Sequence, residues 1–195
     1  VDAHAYTADF LNSNNTIISE LHDESKYYEN YYIGKKDTWA TNVKSYKSLL
    51  QKNIYNGIDV KYYIEKDKLK YDLIIAPETP IEQVKIQYNG VDKLALVGVN
   101  IDISTTVNTI TEFRPYAYQI INGEEIEVRC NYKLKHRVLS FEFPDGYNSN
   151  YELIIDPILE FSTYSGSTTD NFGYTATYDN LGFLYAGSTS FGTGY

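Results

Sequence analysis

Hydrophobic and polar residues alternate along most of this chain with the period of two that a β-strand imposes. The clearest case follows Asn53: Ile58, Val60, Tyr62 and Ile64 share one face, a Lys66-Asp67-Lys68 tip follows, and Leu69, Tyr71, Leu73 and Ile75 return. That pattern predicts a hairpin with one face buried. Val84, Ile86 and Tyr88 predict the next strand, turning at Asn89-Gly90, and Val99, Ile101 and Ile103 alternate with Asn100, Asp102 and Ser104. Tyr118 and Ile120 lead into Asn122-Gly123, a pair that accepts the positive φ of a two-residue hairpin turn, so a hairpin to Ile126 and Val128 is expected. Beyond it Ile126, Val128, Cys130, Tyr132 and Leu134 read as one face, followed by Leu139, Phe141 and Phe143, and by Tyr151, Leu153 and Ile155.

The first fifty residues are less regular. Ala5 to Leu11 reads as a strand, Asn12-Ser13-Asn14-Asn15 as a polar loop, and the charged stretch Glu20 to Glu29 gives way to Tyr31-Tyr32-Ile33, closed by Gly34. Trp39, Val43, Tyr46 and Leu50 fall at helical spacing, so periodicity alone makes Asp37 to Gln51 a helix. Asn-Gly recurs at 56, 89 and 122, but the residues after each turn share little beyond Gly-Ile-Asp and Gly-Val-Asp, and no internal repeat follows. Many short strands with turn signals between them indicate an all-β, antiparallel, sandwich-like domain. Pro115, Pro144 and Pro157 sit at expected strand ends, where a missing N–H costs nothing. After Asp156-Pro157 the rhythm changes, which divides the chain into 1–157 and 158–195. The second part reads as two short strands, Tyr174 to Tyr178 and Phe183 to Ala186, joined by Asp179-Asn180-Leu181-Gly182 and closed by Gly187.

Composition narrows the functional classes. The 21 tyrosines and 8 phenylalanines favour pleated sheet surfaces, where a ring packs and a hydroxyl stays wet. A formal charge of −9 leaves no spare cations for a phosphate backbone, so nucleic acid is not an expected partner. No apolar run approaches the roughly 18 residues of a membrane helix, and no signal peptide is recognisable. With no methionine, the sequence reads as a mature piece or an excerpt of a longer chain.

Candidate chemistry is sparse. Cys130 and His136 form a conceivable nucleophile pair, yet Cys130 lies on an apolar strand face and His136 in a hairpin tip, Lys135-His136-Arg137. His4, His22 and His136 are too scattered for a zinc site. Asp170 and Asp179 lack the dense oxygen ligands of a calcium loop and read as turn caps. Thr168 to Gly173 resembles the Asp-box of sialidase-type propellers, Ser-x-Asp-x-Gly, but its Gly comes one position too late. The doublets Tyr27-Tyr28, Tyr31-Tyr32 and Tyr62-Tyr63 would present one ring per strand face, either a sugar-stacking platform or simply a tyrosine-rich surface. No catalytic, cofactor-binding or metal-binding residue is assigned, and paired carboxylates that meet only in space escape this reading.

Ser162-Thr163-Tyr164, Asp170, Gly173, Asp179, Gly182, Tyr185 and Gly187 resemble the SBBP repeat of bacterial β-propellers. Tyr55 to Tyr63, Lys70 to Leu73, Ala76-Pro77, Pro115 to Gln119 and Ile155-Asp156-Pro157 are similar to the β module that precedes such propellers in large secreted Bacteroidetes proteins. Asn30 to Gly34 and Trp39 continue the likeness; Asn56 and Ser165-Gly166 depart from its usual Pro and Gly-Gly. The resemblance implies that 158–195 starts a propeller, completed by a downstream propeller of the same chain, and that Asp37 to Gln51 is extended. It also implies type IX secretion, display on the outer-membrane exterior, and a non-catalytic role in surface architecture, adhesion or gliding motility. Partners would be envelope, secretion or gliding proteins, and glycans. The alternative it implies is a carbohydrate-binding or carbohydrate-active propeller with its site beyond Tyr195.

Overall fold

The computed structural model describes residues 4–65, 68–157, 159–160, 171–178 and 184–190. The chain divides into two compact units, Val1–Phe161 and Ser162–Tyr195.

In the first unit the longest pieces of alternating sequence build one sheet of seven antiparallel strands. Its members are β2 (Ile18–Tyr31), β3 (Ala40–Tyr55), β4 (Ile58–Glu65), β5 (Lys68–Ile75), β10 (Tyr116–Ile121), β11 (Glu124–Val128) and β14 (Leu153–Asp156), in the order β11-β10-β14-β5-β4-β3-β2. Directly paired residues share a face in an antiparallel ladder. The row Gln51–Val60–Leu73–Ile155–Ala117–Val128 therefore runs across six strands on one side. Val60, Leu73 and Ile155 in it are fully buried.

Two four-stranded sheets complete the unit: β1 (Thr7–Phe10), β6 (Ile86–Asn89), β13 (Val138–Glu142) and β12 (Asn131–Lys135) in one, and β15 (Leu159–Glu160), β9 (Thr109–Glu112), β8 (Asn100–Ser104) and β7 (Lys93–Val97) in the other. One core joins all three, with Ile58 and Leu73 from the large sheet, Ile86 and Leu139 from the second, and Ile101 and Ile103 from the third. In the second unit β16 (Asn171–Tyr178) and β17 (Leu184–Ser190) pair antiparallel, with a bulge between Gly173 and Thr175.

The all-β, antiparallel architecture is present, consistent with a sandwich, but the propeller is not. Among the described residues every sheet is an open row of strands, and none closes or curls. The expected start of a propeller, and the downstream propeller it would need as partner, are therefore corrected. Gly187 lies inside β17 rather than ending it. The turn Asp179 to Gly182, the Ser162-Thr163-Tyr164 motif, Asp170 and the Lys66-Asp67 tip lie outside the described residues.

Asp37 to Gln51 is not helical. A single 3₁₀ turn, Lys36–Thr38, precedes β3, whose sixteen residues run straight through the helically spaced positions. The face expected from Ile126 to Leu134 is broken at Arg129-Cys130, because β11 and β12 belong to different sheets. Asn122 and Gly123 hold φ of 55° and 85°, and close β10 onto β11 as their chemistry predicts.

Two turn glycines separate conformational strain from steric exclusion. A Cβ at Gly123 would meet nothing within 4 Å, whereas one at Gly57, with φ of 78°, would run into the Thr79 side chain. Gly123→Ala should cost about 1 kcal/mol through φ alone. Gly57→Ala should cost measurably more, and equal shifts of the denaturation midpoint for the two variants would contradict the packing assigned to Thr79.

Candidate functional site

The residues singled out from sequence do not converge. Cys130 is buried at 1% exposure, and burial pushes its thiol up to about 12, so it is no ready nucleophile. His136 sits in the β12–β13 turn with φ of 50°. His4 bonds the Gly90 carbonyl and Thr106, and His22 lies 3.7 Å from Glu20 on β2. Among the described residues no three His, Cys, Asp or Glu side chains gather as a metal site.

The structure assembles a cluster that sequence reading missed. Glu112, on β9, is fully buried and accepts hydrogen bonds from Tyr88 Oη and Tyr132 Oη, each at 2.8 Å, and a longer one from Tyr71 Oη at 3.3 Å. β9 belongs to one four-stranded sheet, Tyr88 and Tyr132 to the other, and Tyr71 to the large sheet, so one carboxyl ties all three together. Burial raises the Glu112 pKa, against the three hydroxyls that pull it down, and Tyr71 and Tyr88 are raised with it. Fully enclosed and satisfied by the protein itself, this carboxyl is a structural tie rather than a reacting group. The signal was Thr109-Ile110-Thr111-Glu112, where period two puts the acid on the face of Ile110.

The outward face of the large sheet carries a second polar group. Tyr63 donates to Asp72 Oδ1 at 3.0 Å, and Lys70 bridges Asp156 Oδ2 at 3.2 Å and Glu65 at 3.1 Å. Tyr62 points the other way, its ring 6.4 Å from that of Tyr71, so the Tyr62-Tyr63 doublet splits between the faces and forms no platform. A shallow recess of about 460 Å³ lies elsewhere, walled by Ile81, Phe141, Phe143 and Tyr147, with Glu82 and Lys133 at its rim.

Among the described residues, exposed large apolar side chains concentrate on the β2–β3 hairpin, above all in its distal half. β4 pairs with β3 only as far as Ser48↔Tyr63, so beyond it the two strands continue as a ribbon without a third neighbour. Bulges between Glu24 and Tyr28 and between Glu29 and Tyr31 twist it, the ion pair Lys44–Glu24 at 3.1 Å braces it, and Lys52–Glu20 at 2.8 Å braces its base. Thr38 Oγ1 closes the tip by donating to the carbonyls of Ile33 and Lys35. Tyr32 and Trp39 meet there edge to face at 4.9 Å. Both rings of Tyr27-Tyr28 are exposed, at 84% and 56%, because neither face of the ribbon is covered. Among the described residues, nine of the eighteen exposed large hydrophobic residues fall between Ile17 and Val43, six of them from Tyr27 onward on the ribbon itself, which singles out this arm as the candidate site.

Comparison with known proteins gives one result. The family described as Domain of unknown function (DUF7948) matches residues 1–158. No curated protein and no solved structure matches the chain. The match replaces the SBBP resemblance; type IX secretion, surface display, adhesion and gliding came only with that resemblance, and nothing in the family description carries them.

Proposed function

The chain belongs to this family of unknown function through residues 1–158, and within it we propose a non-catalytic interaction module that binds another protein through the β2–β3 arm. The observation behind this reading is the concentration of exposed aromatic and aliphatic side chains on the arm, with Tyr32 and Trp39 packed as a knob at its tip. Tyr and Trp are the residue types that most often dominate binding energy at protein interfaces, since they bring large area with few rotors. A net charge of −9 disfavours nucleic acid and anionic lipid as occupants, which leaves a protein with an apolar groove as the partner that fits. The non-catalytic part of the reading draws on the burial of Glu112 and Cys130, which keeps this carboxyl and this thiol from contact with substrate.

The strand edge itself is not the docking element. Glu20, His22, Asp23, Glu24, Lys26 and Glu29 line β2, and its bulges interrupt the register, both devices that discourage edge pairing. A photo-crosslinking side chain at position 32 or 39, introduced in the native cell, should capture a defined protein; a second copy of this chain is one such outcome. Trp39→Ala should then weaken the purified complex by roughly 30-fold, the equivalent of about 2 kcal/mol. The arm touches no core residue at its tip, so folding is preserved in that variant. Unchanged affinity in Trp39→Ala and Tyr32→Ala, or crosslinks no stronger than from Val107 on the β8–β9 connection, would sink the proposal.

A further inference from the structure

We propose that Asp72 and Asp156 share one proton across the β5–β14 ladder, the Asp72 carboxyl donating to the buried Oδ1 of Asp156, and that losing this proton loosens β14. The ladder pairs Ile154 with Ile74 and Ile155 with Leu73, so the next step of the same register sets Asp156 opposite Asp72, both on the outward face. The Asp156 side chain is only 20% exposed there, and its Oδ1 is buried without a hydrogen-bond partner, the one such side-chain atom among the described residues. A buried orphan acceptor demands an explanation, because desolvation without a donor is costly.

Three of the neighbouring donors, Tyr63, Lys70 and Tyr116, are already committed. On β4, Tyr63 gives its hydroxyl to Asp72 Oδ1, and Lys61 lies 5.5 Å from the centre of the Tyr63 ring. On β5, Lys70 serves Asp156 Oδ2 and Glu65. On β10, Tyr116 pairs directly with Asp156 in the ladder but donates to Glu125 on β11 at 2.8 Å. Burial first, then the charges of Asp72, Glu125, Asp156 and Glu152, hold the proton on Tyr118. With Tyr63 on Oδ1, the second oxygen of Asp72 can carry a proton toward Asp156, the residue opposite it in the ladder.

The electrostatics agree. Burial first, then the Asp156 charge, push Asp72 up to about 6, while the Tyr63 hydrogen bond, Lys61 and Lys70 oppose them. A carboxyl raised in the folded state stabilises the fold fully below its unfolded value of about 4, and that contribution is lost as pH rises through about 6. β14 bridges β5 and β10 in the middle of the large sheet, so the loss acts where the ladder is central.

The test uses the full chain. Carbon-13 NMR should show the Asp72 carboxyl titrating near 6, and the amide protection factors of Leu153–Asp156 should fall roughly tenfold between about pH 5 and pH 7. Asp156→Asn removes the opposing charge and should return Asp72 toward an ordinary carboxylate range. Asp72→Asn supplies a permanent N–H donor and should make the protection of β14 independent of pH. An ordinary Asp72 midpoint in the wild type, a midpoint unmoved by Asp156→Asn, or wild-type pH dependence persisting in Asp72→Asn would each overturn the proposal.

Discussion

Replacing Glu112 with alanine should cost roughly 3–5 kcal/mol of folding stability, the largest single-residue loss outside the aliphatic core. The reason is arithmetic on orphaned groups. Three hydroxyls, from Tyr71, Tyr88 and Tyr132, converge on this carboxyl, and alanine leaves them buried without an acceptor while opening a cavity where three sheets meet. Glu112→Gln should cost far less, because its amide keeps one acceptor and a tyrosine hydroxyl can turn to accept from the new N–H. The pair also separates charge from shape. Since the folded chain holds the Glu112 proton more tightly than the unfolded chain does, its contribution is complete below about pH 4 and declines as pH rises through the raised folded value. The advantage of wild type over Glu112→Gln in urea unfolding should therefore shrink with rising pH, and an advantage that grows instead would mean that the carboxylate is the favoured buried form.

This tie was illegible in the sequence for a physical reason. Tyr71, Tyr88, Glu112 and Tyr132 are spread over sixty residues, and only the closing of three sheets brings them together. Period two did expose β4, β5 and β12–β13, because in each a wet face alternates with a dry one, as at Val60 against Lys61 or Leu139 against Ser140. The β10–β11 hairpin was marked instead by its Asn122-Gly123 turn: Ile120 and Ile126 are exposed, and the buried positions are Ala117, Gln119 and Val128. It failed on β2. Neither face of that ribbon is dry, so Glu20 to Glu29 carries no apolar alternation to read. In β3 the spacing of Trp39, Val43, Tyr46 and Leu50 imitated a helix for the same reason, since no core demands alternation before Ser48. The arm thus escaped the reading through the very exposure that makes it the candidate interface. β9 escaped because it is four residues long and places an acid at a core position. The propeller expectation failed differently: turn chemistry of Gly, Asp and Asn is common to every hairpin, and it says nothing about whether the strands go on to close a ring.

The second large effect should come from Gln119, a buried polar residue that alternation marked only as a gap in an apolar row. Its side chain is 2% exposed and works in both directions: Nε2 donates to the carbonyls of Asn148 and Tyr151 at 2.8 and 3.2 Å, while Oε1 accepts from the Asn148 N–H at 2.9 Å. The 143–152 connection has few backbone partners of its own, apart from Gly146 and Tyr151 turning back onto Phe143 and Asn148 and Ser149 accepting from Glu78. One amide therefore stands in for the ladder that this segment lacks. Gln119→Leu matches the volume but strands the Asn148 N–H and the Tyr151 carbonyl, the Asn148 carbonyl keeping the Tyr151 N–H, and it should cost about 2–4 kcal/mol, with amide protection lost first at Asn148. Gln119→Glu is the sharper variant. It preserves an acceptor for the Asn148 N–H yet turns the donor into a second oxygen facing two carbonyls, so it should be destabilised most at neutral pH and recover as acid protonates it. If Gln119→Glu proves as stable as wild type at pH 7, the amide is not bonded as described, and the connection must be held by other contacts.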